Sequence, residues 1–171
     1  MMQILKAGGM EVLTDGVRNA DINNPRGYFE YEKVKSLQTD NSWLAEAENK
    51  VLKVITQLVH YLPLNFNYYV IVMKRKIDEI ILSQNKMIDN LGSKKTQVDN
   101  NTLKNVFQNQ LNKSVDYLSS NKSFNVFVVD YNELLSGNSK LIVDLNTELN
   151  LNLDTEKALR VINPALYRNR N

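Results

Sequence analysis

At 171 residues and 43% apolar content, the chain is long enough to bury the core of one domain spanning 1–171 without a covalent staple. It has no cysteine and a single histidine, His60. That excludes disulfide frameworks, thiolate ligands, cysteine nucleophiles and multi-histidine metal sites, so metal-free chemistry is expected. A net charge of +2, with lysines scattered rather than striped, argues against a nucleic-acid surface. No apolar run approaches the roughly 18 residues that cross a bilayer, and Met1-Met2-Gln3 does not open a secretory leader, so no membrane partner and a cytoplasmic location are expected.

Met1–Ala7 carries good helix formers with no capping residue ahead of them, and Gly8-Gly9 reads as a C-terminal helix stop. Val12–Thr14 fits a short strand, and Asp21–Gly27 is dense in turn residues. A helix is predicted from about Glu30 to Leu37, and a strand over Val51–Thr56. After a break at Leu62-Pro63, Tyr68–Met73 is a continuous β-branched and aromatic run, as in a strand covered on both faces. Ile77, Ile80, Ile81, Ile88 and Leu91 recur at helical spacing, and Gly92–Gln97 reads as a polar, mobile loop. Asp99 caps a long helix striped by Leu103, Val106, Phe107, Leu111, Val115 and Leu118. Phe124–Val129 is the last strand, followed by helical patterns near Asn132–Leu135, Ser139–Leu149 and Asp154–Val161. Strands alternating with amphipathic helices predict an α/β fold of three layers, with a mainly parallel sheet and helices on both faces.

The most informative stretch is 68–84, where a strand breaks into Lys74-Arg75-Lys76 and then a helix. Cations at the carboxyl end of such a strand, beside a helix start, sit where open α/β sheets collect anions. Lys76 and Ser83 fall on one flank of the helix stripe, which brings a hydroxyl near the basic corner. A solvated helix start, with Arg75 and Ser83 eight apart by chance, is the competing reading.

Four blocks, Met1–Gly9, Asn24–Glu30, Val72–Ser83 and Val129–Leu135, together make the chain resemble the bacterial cytosolic-type sulfotransferases. These are P-loop superfamily enzymes that use 3′-phosphoadenosine 5′-phosphosulfate (PAPS). The resemblance implies that Arg75 and Ser83 bind the 3′-phosphate and that Tyr131 lies near the adenine. It also implies that Glu30 takes a proton from a small-molecule hydroxyl or amine acceptor. The bland alternatives are a Tyr131 hydroxyl in water, a Glu30 that only complements a helix dipole, and an Arg26 that satisfies turn carbonyls. His60 does not fall in register with the family's histidine.

The family's phosphosulfate loop, a Gly- and Ser/Thr-containing turn after the first strand, has no counterpart in the sequence, and neither has its late Arg-Lys-Gly segment. Arg168 and Arg170 are stand-ins for the latter at best. The expectation is a sulfotransferase-like domain without its N-terminal strand, inactive as it stands, with an unpaired sheet edge able to dimerise. A degenerate nucleotide-binding or protein-interaction module is the alternative.

Overall fold

The computed structural model describes residues 1–22, 24–90 and 99–164. Helix α1 (Met2–Ala7) ends on Gly8, whose amide donates to the Ile4 carbonyl. A side chain at Gly8 would meet Leu153 at 3.0 Å, while Gly9 takes a left-handed φ of +103°. The two glycines thus do separate work, one allowing close packing and one allowing the turn.

Strands β1 (Tyr68–Lys74) and β2 (Phe124–Asp130) form a parallel pair in unbroken register from Tyr68↔Phe124 to Lys74↔Asp130. Between them run α2 (Ile77–Asn90) and α3 (Asn100–Ser120). The Asp99 carboxylate accepts from the Asn101 and Thr102 amides and so starts α3, as expected. After β2 come α4 (Tyr131–Leu135), α5 (Lys140–Glu148) and α6 (Thr155–Arg160), each within a residue or two of its predicted span. The predicted loop at Gly92–Gln97, the stripe residue Leu91, and Arg168 and Arg170 lie outside the described residues.

The two strands alternate between two cores, as a period of two requires. Ile71, Met73, Phe127 and Val129 belong to one core with α1, α5 and α6; Val70, Val72, Phe124 and Val126 belong to the other with Trp43, Val59 and Leu118. The protein is therefore mixed α/β, built on a small two-stranded parallel sheet with several helices.

Four expectations change. The Val51–Thr56 segment is not a strand: Val51 makes one parallel bridge to Val12, and a 3₁₀ segment begins at Thr56. Its composition suits a strand, but among the described residues no neighbouring strand pairs with Leu52 to Ile55. Val12–Thr14 is reduced to the same bridge. The predicted Glu30–Leu37 helix is a 3₁₀ segment over Glu32–Ser36, because Phe29 (φ 51°) and an extended Tyr31 use up its first turn. In α3, Val106 falls outside the apolar stripe and is 54% exposed.

Candidate functional site

Arg75 stands just beyond β1, at the carboxyl end of the parallel pair. Its Nε donates to Oε2 of Glu79 at 2.9 Å, one turn into α2, and its guanidinium lies 4.9 Å from the Tyr131 ring centroid. Glu79 is 2% exposed and also accepts a 2.8 Å hydrogen bond from Nδ2 of Asn132 on its other oxygen. The Asp130 carboxylate caps α4 by accepting from the Asn132 and Glu133 amides, which fixes Tyr131 and Asn132 beside β1. Burial pushes the Tyr131 phenol up, the charge of Arg75 opposing and that of Glu79 adding to it. This network ties the carboxyl ends of both strands together.

Arg75 also lines a cavity of about 190 Å³ walled by Met73, Ile77, Ile80, Phe107 and Leu111, with the amides of Gln57 and Gln110 among its polar groups. Ser83 does not line it. Arg75, Glu79 and Ser83 follow at four-residue steps across the start of α2, so Glu79, the partner of Arg75, stands in the chain midway between the two predicted phosphate ligands. Sequence reasoning passed over Glu79, although an arginine four residues before a glutamate at a helix start is itself an ion-pair signal.

Glu30 belongs to a separate cluster. Nη1 of Arg18 donates to its two oxygens at 3.2 and 3.3 Å, and Nζ of Lys53 to Oε1 at 3.1 Å. Arg18 stacks 3.4 Å from the Tyr28 ring centroid, and the Tyr28 hydroxyl donates to both Asp21 oxygens at 2.8 and 2.9 Å. Burial opposes ionisation of Glu30, but Lys53 and Arg18 together outweigh it and hold its carboxyl below the usual range. The partners of the Glu30 carboxylate among the described residues are Arg18 and Lys53, not Arg75 or Tyr131.

Arg26 does not turn to the carbonyls of its own turn: it donates to the Val161 carbonyl, 135 residues away, at 2.8 Å and to Gln3 at 3.2 Å. His60 packs 4.5 Å from the Tyr117 ring, with Nε2 3.5 Å from Oγ of Ser114. Ser114 is 3% exposed and donates to the Thr56 carbonyl, so the pair is no accessible nucleophile and base. Among the described residues no group of acids and histidine could hold a metal ion, and no helix is long and apolar enough to cross a membrane.

Fold and site together define a mixed α/β protein with one arginine–tyrosine corner at the carboxyl end of a parallel strand pair. No protein-family model, no curated protein and no solved structure matches this chain.

Proposed function

We propose that this corner is the 3′-phosphate end of a PAPS site, in a sulfotransferase-like domain of the three-layer P-loop type. The observation that carries the reading is the placement of Arg75, a cation at the carboxyl end of a parallel strand with an aromatic ring beside it and a cavity in front. The two cores on either side of the strand pair support the layered arrangement. In this reading Arg75 meets the 3′-phosphate, Tyr131 offers its ring to the adenine, and Ser83 is an outer contact one turn past Glu79. Glu30, held in its ionised form by Arg18 and Lys53, would accept the proton of the acceptor hydroxyl or amine as the sulfuryl group left the 5′-phosphate oxygen for that atom, with adenosine 3′,5′-bisphosphate as the leaving group.

The fit is partial. A cation and an aromatic ring suit a nucleotide phosphate, whereas the Glu79 carboxylate beside them disfavours a second anion. Nothing among the described residues supplies the converging amide donors that a phosphosulfate needs, so we expect no sulfuryl transfer by residues 1–171 alone. The neutralisation of Arg75 by a buried glutamate favours a second reading: a nucleotide-binding or protein-interaction module that performs no chemistry.

Calorimetric titration of the chain with adenosine 3′,5′-bisphosphate and with adenosine 5′-monophosphate tests the proposal. Tighter binding of the bisphosphate is expected. Equal affinity, or none for either, would leave Arg75 a structural residue.

A further inference from the structure

We infer that Leu52–Val54 and the outer edge of β1 are the two walls of a slot for one added β-strand, an extended apolar segment supplied by a second polypeptide. The first wall follows from the pairing of β1. The Tyr68 amide donates to the Ser123 carbonyl at 2.7 Å, and in a parallel pair alternate residues face opposite edges. Tyr68, Val70 and Val72 therefore face β2, while Tyr69, Ile71 and Met73 turn their backbone groups to the other edge. Among the described residues the sheet has only two strands, so that edge pairs with nothing.

The second wall follows in the same way. Val51 donates to the Glu11 carbonyl at 2.8 Å and accepts from the Leu13 amide at 2.9 Å. Leu52 and Val54 point away from that bridge, and no backbone hydrogen bond reaches either of them among the described residues. Both are half-buried. Peptide groups without partners in a half-buried segment are costly to the extent that water cannot reach them.

The two walls share both cores. Val51 contributes to the core that holds Ile71 and Met73, and Leu52 and Val54 contribute to the core that holds Val70 and Val72. The segment thus alternates between the cores as β1 does. Thr56 and Gln57, which follow the segment, line the same cavity as Met73 and Arg75, so the carboxyl ends of the two walls lie across from one another.

These features select the occupant. Unpaired N–H and C=O groups at strand spacing call for another strand, not a helix or a small molecule. An apolar core on each side calls for Val, Ile, Leu or Phe at successive positions and excludes proline and charge. The inference stands apart from the nucleotide reading.

Hydrogen exchange by NMR on the full 171-residue chain tests it. The probe is a capped peptide of five alternating valines and isoleucines with lysines at its ends; the control is the same peptide N-methylated at alternate residues. In the chain alone, the amides of Leu52, Val54, Ile71 and Met73 should exchange at least about tenfold faster than those of Val70 and Val72. The peptide should slow those four by about tenfold or more, and the N-methylated control should not. Val54→Pro, which removes one donor from the wall, should weaken the peptide effect while Val70 and Val72 stay protected. No slowing at saturating peptide, or equal slowing by the control, overturns the inference. So does protection of the four amides in the chain alone; if that protection grows with protein concentration, the occupant is a second copy.

Discussion

The chain builds an arginine, a carboxylate and a tyrosine into two sites, and their settings differ. At the first, Arg75, at the junction of β1 and α2, pairs with Glu79 of α2, the side chains being 21% and 2% exposed. At the second, Arg18 pairs with Glu30, neither of them in a helix or strand, with 41% and 24% exposed. Each guanidinium lies near a tyrosine ring, at 4.9 Å from Tyr131 and 3.4 Å from Tyr28. The chemistry is the same. Burial decides what it is worth, because water screens the second pair and is largely excluded from the first. A buried pair also resists losing one partner, since the remaining charge stays in a low-dielectric setting.

The largest expected effect comes from breaking the buried site. Glu79→Ala takes the carboxylate from Arg75 and Asn132 together, and should cost about 3 kcal/mol of unfolding free energy in urea denaturation. Glu30→Ala should cost under about 1 kcal/mol by the same measurement. Equal losses would mean that burial does not separate the two sites.

Tyr131→Leu sharpens the comparison on the aromatic side. It keeps apolar bulk but removes the ring, and should cost about 1 kcal/mol, with nucleotide affinity falling in parallel if the ring meets the adenine.

The smallest effect is a pH dependence. The Glu30 carboxyl is held below its ordinary value, so its contribution to stability is present above the unfolded carboxylate range, near 4.3, and is lost as pH falls through the folded value. Lys53→Met removes one of the two cations responsible. The wild-type chain should then lose more stability than this variant between about pH 5 and 3, by under about 1 kcal/mol given the exposure of the pair. An NMR titration of the Glu30 side chain should show its midpoint rise in the variant.

How far each site was legible in the sequence follows from the same contrast. Continuous apolar runs and helical periodicity located β1, β2 and α2 to α6, and the position of Arg75 between a strand and a helix singled it out. The four-residue spacing signals its partner Glu79, but neither the burial of that pair nor the bond from Asn132 to Glu79 was legible. Glu79 is an ordinary acidic residue in a first helical turn until β2 and α4 arrive from about 50 residues away, a long-range contact that local pattern does not encode. The Glu30 cluster was less legible still. Its parts at Arg18, Tyr28 and Lys53 are joined by a turn through the left-handed Phe29, a conformation that a bulky residue rarely adopts. The Val51–Thr56 segment failed as a strand because strand character depends on a neighbour, and composition does not report one.

The central claim is that Arg75 reads a phosphate rather than only holding Glu79 in place. The most direct test is titration of Arg75→Ala beside the wild-type chain with adenosine 3′,5′-bisphosphate and adenosine 5′-monophosphate. Circular dichroism should first confirm that the variant is folded. The account predicts a loss of roughly 1.5–3 kcal/mol for the bisphosphate and little for the monophosphate, as a charge-assisted contact requires. Equal losses for both nucleotides in a folded variant would contradict it.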